Sequence, residues 1–234
     1  PSERRSFLDQ LLIQQSPRLA GVISDYERAL KQRNSLLKSR APESSLRSWS
    51  EHLATFGGEL IAGRIKLINE IEPLFQIAYK NLSAKKLAKL GYKSSIPAPS
   101  SEKEVNKEVM LKVIEEVKSQ EIERGISLVG PHRDDLILNL GDHPVKGYAS
   151  HGESWSIALA LRLASYQLFI NEGAKPILIL DDVFSELDEG RREKLLEIAD
   201  SAEQTFITVA VENDLPKAIQ GARFKVELGK VVTL

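Results

Sequence analysis

The sequence predicts an α/β fold that carries an antiparallel helical hairpin. Three observations predict it. In the first third of the chain, large side chains recur at alternating steps of three and four, the period of a packed helix face. A turn-like stretch divides that pattern into two helices whose seams align when folded back on each other. In the second half, short apolar runs alternate with helical segments, the rhythm of an α/β layer.

In the first helix, residues 17–38, the periodic positions are Leu19, Ile23, Tyr26, Leu30 and Leu37, with Arg33 on the remaining beat. In the second, about 45–72, they are Trp49, Leu53, Phe56, Leu60, Gly63 and Leu67. The connection "SRAPESS", 39–45, reads as a turn. Folding about Glu43 pairs Leu37 with Trp49, Arg33 with Leu53, Leu30 with Phe56, Tyr26 with Leu60, Ile23 with Gly63 and Leu19 with Leu67. Two core helices of an ordinary bundle would give the same pattern. Arg28, Lys31, Lys38, Arg40, Arg47, Arg64 and Lys66 fall on the expected outer faces, where they could meet phosphates or simply be solvated. "GELIAGRI", 58–65, has the glycine spacing of a phosphate-binding P-loop. It lacks the lysine and the hydroxyl, and it lies inside a helical pattern, so it is set aside.

"SSIPAPSSEKE", 94–104, breaks the pattern with two prolines and ends in the capping-box pattern of Ser101 with Glu104. The chain is thus organised as a helical arm over 1–96, a connecting helix over 97–124 and a carboxy-terminal lobe over 125–234. In the lobe, "ISLVG" (126–130) reads as a strand and "LILNL" with "VKGYA" as a hairpin. A helix over 154–171, a doubly buried strand over 176–180, a helix over 188–202, a strand over 205–211 and closing strands around Gly229 follow.

Composition bounds the function. The chain has 234 residues, 42% hydrophobic and 28% charged, enough for one large or two small domains. No apolar run approaches the roughly 18 residues of a membrane span, so no membrane partner is expected. No signal peptide is evident, and the absence of cysteine fits a reducing compartment. The first residue is proline, which suggests a piece of a longer protein or a trimmed one. Residues 1–96 hold 16 Lys and Arg against 9 Asp and Glu, a net +7; residues 97–234 hold 16 against 24, a net −8. A basic half joined to an acidic half suggests that one part meets a polyanion.

Two stretches carry chemistry. "ILILDD" runs four apolar residues into Asp181 and Asp182. In open α/β sheets ligands gather beyond the carboxyl ends of strands, and carboxylates there suit magnesium shared with substrate phosphates. The plain alternative is that Asp182 caps the next turn and Asp181 is a structural acid. "SHGES", 150–154, places small residues at a helix amino terminus, an anion-binding arrangement or simply an N-cap.

The order of capped helix, acid-tipped strand and "SELD" resembles the signature loop, Walker B strand and D-loop of ABC-type ATPases, specifically the SMC-like branch with coiled-coil arms. "GPHRDDL", "ASHGES", "LDDVFSELDEGRREKL" and the opening "RRSFLD" together resemble the RecF family of DNA replication and repair proteins over nearly the whole chain. The resemblance implies an ABC-type ATPase head with an inserted helical-hairpin arm, partial because it lacks the amino-terminal P-loop portion. It implies a cytoplasmic protein of DNA repair and the SOS response. Such a protein binds ATP and Mg2+, dimerises through ATP on DNA at single- and double-strand junctions, and assists RecA loading with RecO and RecR. Residue by residue, it makes Asp181 the magnesium ligand and Asp182 the catalytic acid, in a position most ABC ATPases fill with glutamate. Ser150, Gly152 and Glu153 become the signature loop that reaches a nucleotide on a partner subunit. Ser185, Glu186, Leu187 and Asp188 become the D-loop, and Thr208 stands near the switch position. His151 and Glu153 depart from the glutamine-rich signature of many relatives, and the shorter acid at 182 suggests slow turnover. No P-loop lysine motif occurs in these residues, so this chain alone is expected to be a poor ATPase. The nucleotide-binding half of a transporter, a magnesium-dependent phosphatase or nuclease, and a plain interaction module remain alternatives.

Overall fold

The computed structural model describes residues 1–83, 86–211, 215 and 219–233. It opens with α1 (Ser2–Gln15), α2 (Arg18–Lys38) and the 40-residue α3 (Glu43–Leu82). Helices α2 and α3 pack antiparallel along their lengths, as the seam spacing predicts. Leu19, Tyr26, Arg33 and Leu37 of α2 and Leu53, Leu60 and Leu67 of α3 are buried, whereas Ile23, Leu30, Trp49 and Phe56 are half-buried. One edge of the seam therefore lies under neighbouring helices and the other faces outward. Helix α3 runs about ten residues past the expected end, and its remaining faces pack against α4 (Lys103–Arg124) and α6 (His151–Asn171). The base of the hairpin is thus built into the body of the protein.

The glycine pattern that mimics a P-loop lies in mid-α3 and serves packing. A Cβ on Gly58 would stand 2.7 Å from the Lys103 carbonyl oxygen and 2.8 Å from the Lys107 nitrogen, so glycine sets the α3–α4 approach. Helix α4 starts at Lys103 after Glu102, with no side-chain cap, so the expected Ser101–Glu104 box does not form. Asn106 ties the entry loop instead. Its Oδ1 accepts from the Ser100 nitrogen (2.8 Å), and its Nδ2 donates to Ser100 O (2.7 Å) and Gly58 O (3.2 Å). Helix α4 ends at Gly125 in the left-handed region (φ 65°), the common glycine stop.

Between α3 and α4 lies β1 (Ala88–Lys93), which pairs antiparallel with β2 (Asp135–Leu140) from Ala88↔Leu140 to Lys93↔Asp135. The expected hairpin of 136–140 with 145–149 is corrected. The second partner of β2 is the two-residue β3 (His143–Pro144), and residues Val145–Tyr148 form a single turn, α5, broken at Lys146 and Gly147. The expected strand over 126–130 is also absent, because long-range side-chain bonds hold that segment as a loop.

The carboxy-terminal region holds β4 (Leu178–Asp181), α7 (Glu189–Ser201) and β5 (Thr205–Thr208), with β4 and β5 parallel in the register Leu178↔Thr205 to Asp181↔Thr208. The expected burial of β4 on both faces is corrected: Leu178 and Leu180 are inside, while Ile179 is 67% exposed beside Phe206, its cross-strand partner, at 51%. Strands β6 (Phe224–Glu227) and β7 (Lys230–Thr233) form a hairpin whose two-residue turn, Leu228 and Gly229, has positive φ at both positions, the turn that suits strand twist.

Candidate functional site

Asp181 ends β4 and Asp182 begins the next turn, both exposed. Asp182 adopts a left-handed backbone (φ 51°), a conformation that aspartate tolerates better than most residues. It starts the 3-10 turn Val183–Glu186, closed by Ser185 Oγ donating to Asp182 O (2.8 Å). Thr208, at the end of the paired strand, holds both acids. Its hydroxyl donates to Asp181 Oδ1, and it accepts from the Asp182 nitrogen on its carbonyl (3.1 Å) and its Oγ1 (3.2 Å). Among the described residues the Asp182 carboxylate has no bonding partner.

Downstream, buried Phe184 and Leu187 anchor the loop, and exposed Ser185 lies between them. Asp188 caps α7, accepting from the Arg191 nitrogen (3.0 Å), and Arg191 Nε reaches Leu82 O (2.9 Å) at the end of α3. The side chain of Glu186 lies outside the described set.

Ser150 is the N-cap of α6 in a full capping box. Its Oγ accepts from the Glu153 nitrogen (3.3 Å), and Glu153 Oε2 accepts from the Ser150 nitrogen (2.9 Å). Lys86, which no local pattern singles out, donates to Glu153 Oε1 at 2.8 Å. The Lys86 ammonium and the Ser150 donors hold the Glu153 carboxyl down to about 2. Glu153 is thereby occupied as the partner of Ser150 and Lys86. Gly152 is open: a Cβ added there would meet nothing within 4 Å. The backbone N–H groups of His151 and Gly152, in the first turn of α6, find no acceptor among the described residues.

Asp181, steadied by a hydroxyl and open to solvent, offers the hard oxygen donor that magnesium takes when substrate phosphates and waters complete its shell. Among the described residues no group of three His, Cys, Asp or Glu could hold a metal alone. The donor set therefore fits an ion shared with a substrate.

The expected phosphate contacts divide. Arg28, Lys31, Lys38, Arg40, Arg47 and Lys66 are exposed, with Arg28 paired to Asp25 and Arg47 within 3.7 Å of Glu51. Arg64 is corrected: it is 2% exposed, grips Asp9 through Nε (2.9 Å) and Nη2 (2.8 Å), and donates to Pro131 O (2.8 Å). It belongs to the interior because α1 covers that face of α3.

The "GPHRDDL" and "RRSFLD" motifs close on one another. Arg4 forks onto Asp135 (2.9 and 2.7 Å), and Arg5 donates to Asp134 O (2.9 Å). Fully buried Asp134 accepts from Tyr92 Oη (2.6 Å) and the Ser95 nitrogen (2.6 Å). Arg133 donates to Ser127 O (2.8 Å). His132 accepts from Tyr26 Oη at Nδ1 (2.6 Å) and donates from Nε2 to Ser127 O (3.2 Å), and burial pushes its ring down to about 4.

No family model matches the chain. It is similar to the DNA replication and repair protein RecF of Streptomyces avermitilis, 50% identical over 99% of this chain and 65% of that protein. It is 46% identical to the RecF of Beutenbergia cavernae, over 99% of this chain and 67% of that protein. Among solved structures it is similar to the recombination mediator protein RecF with ATP, with a TM-score of 0.86, 25% identity, and coverage of 100% of this chain and 63% of that one. The chain thus spans 65–67% of the length of these two curated relatives. Its fold is that of the corresponding part of the solved RecF.

Proposed function

Since the chain belongs to the RecF family, we propose that it forms the arm and carboxy-terminal part of an ATP-operated DNA clamp that acts in recombinational repair. The observation that carries this reading is the free Asp182 carboxylate beside an Asp181 steadied by Thr208, at the open end of a parallel strand pair. Asp181 would ligate Mg2+, which supplies charge neutralisation to the triphosphate. Asp182 would accept the proton of the attacking water. Ser150 and the free N–H groups of His151 and Gly152 would face the terminal phosphate of ATP bound by a second molecule, with Glu153 fixing the loop. Ser185, Leu187 and Asp188 would lie along that dimer seam, with Glu186 between them. Thr208 acts as the clamp of the acid pair. The phosphate cradle would come from residues outside this chain, which would also cover Ile179 and Phe206. DNA at single- and double-strand junctions would meet Arg28, Lys31, Lys38, Arg40, Arg47 and Lys66. In this reading the protein would assist RecA loading with RecO and RecR in the cytoplasm, which its likeness to RecF proteins supports.

Ser150→Arg in the full-length protein tests it. Nucleotide-dependent dimerisation, read by sedimentation, should be lost while monomer ATP affinity stays nearly unchanged; equal loss of both would overturn the signature-loop assignment. Replacing Arg40 and Arg47 by glutamine should lower the salt slope of DNA binding by about 2. An unchanged slope would take the arm out of the DNA footprint.

A further inference from the structure

Tyr148 is a large aromatic residue left 69% exposed, yet its ring is held against another ring. It stacks on His143 with centroids 5.1 Å apart and planes 9° from parallel. The support is local and firm. His143 lies in β3, registered against Leu140, and Pro144 fixes the backbone beside it. Gly147 turns the chain with φ 88°, which brings residue 148 back over residue 143. One face of Tyr148 is thus backed by imidazole and the other is open. Lys146, on the same turn, is exposed and has no bonding partner among the described residues.

A core aromatic would be covered on both faces. A solitary surface tyrosine would not be backed by a parallel ring. An ordered ring with one free face and a cation alongside is the arrangement on which planar heterocycles stack while their phosphates find charge. We propose that the open face of Tyr148 is a stacking surface for a nucleobase, with Lys146 beside it for the attached phosphate. The base could come from the nucleotide whose phosphates meet Ser150, whose Cα is at most about 7 Å from that of Tyr148, or from an unpaired strand of DNA. The nucleotide source rests on the function proposed above, and the DNA source does not require the signature loop.

The test uses the full-length protein with two probes. One is ATP, read as the concentration giving half-maximal dimerisation; the other is a labelled oligothymidylate, read by anisotropy. Tyr148→Ala should weaken one of the two by about five- to a hundredfold, the range of one lost base stack. Tyr148→Phe, which keeps the ring, should stay within about twofold of the parent. Tyr148→Trp should bind as the parent does, and its added emission should be quenched by the same probe. The probe that responds identifies the source. If neither probe responds to Tyr148→Ala, if Tyr148→Phe is as weak as Tyr148→Ala, or if the Tyr148→Trp emission is unquenched, the proposal is overturned. If Ser150→Arg leaves dimerisation intact while Tyr148→Ala still weakens oligothymidylate binding, the signature-loop reading falls and the stacking surface stands.

Discussion

Two sets of motif residues look alike in the sequence and differ in the structure. The arginines and aspartates of "RRSFLD" and "GPHRDDL" are bonded to each other and to the helices around them. The acids of "LDDVF" and the "SHGES" loop stand at the surface, where Asp181 is bonded to Thr208 and Glu153 to Ser150 and Lys86, while the Asp182 carboxylate has no partner among the described residues. Charged motifs recur for two unlike physical reasons. In the first region the charges are spent inside the protein, holding α1, α3 and β2 together. In the second, Asp182 and the N–H groups at the start of α6 keep capacity for something outside.

The sharpest way to break that contrast is to remove one partner of an internal pair. Arg33 and Glu121 are 2% and 0% exposed, and Arg33 also donates to Ser50 Oγ (2.9 Å) and Ser127 Oγ (2.8 Å). Glu121→Ala strands the guanidinium and should cost about 3–5 kcal/mol in urea unfolding. A loss under about 1 kcal/mol would mean that the pair is already hydrated.

Acidification probes the same region. His132 is held to about 4 by burial, below its ordinary 6.5. Between those values the unfolded chain binds the extra proton, so stability is complete above about pH 6.5 and falls as pH drops towards 4. The loss should reach at most about 3 kcal/mol, and His132→Gln should flatten the unfolding free energy over that window. A parent as flat as the variant would remove His132 from the buried set. Gly58→Ala, which drives a methyl into the α4 backbone, should cost about 1–3 kcal/mol. The smallest effect is the telling one. Asp182→Asn should change stability by less than about 0.5 kcal/mol. A loss above about 2 kcal/mol would make Asp182 a structural acid and erase the contrast.

Much of the fold was legible where local period decides structure. The α2–α3 hairpin, α6, α7 and the acid-tipped β4 follow from apolar spacing that no distant contact overrides. Strand β1, "AKLGYK", was not legible. Two lysines and a glycine obscure its alternation, and only Ala88 and Leu90 are buried. The apolar run at 126–130 reads as a strand, but Ser127 in it bonds Arg33 and Asn34, more than 90 positions earlier, which holds an irregular path. At the site, the acid pair was visible because carboxylates after four apolar residues are costly to bury. The hydroxyl clamp was not, since Thr208 reaches Asp181 only through the parallel pairing. Arg64 looked like an outer-face cation because nothing local announces that α1 lies over it.

The bond from Asp9 to Arg64 carries an evolutionary consequence. A neutral residue at position 9 strands a buried cation, and a neutral residue at position 64 also leaves the Pro131 carbonyl without its donor. Neither position can drift alone, so lineages that have changed one should have changed the other, and covariation between two sites 55 residues apart would record that α1 and α3 have been inherited as one folded unit.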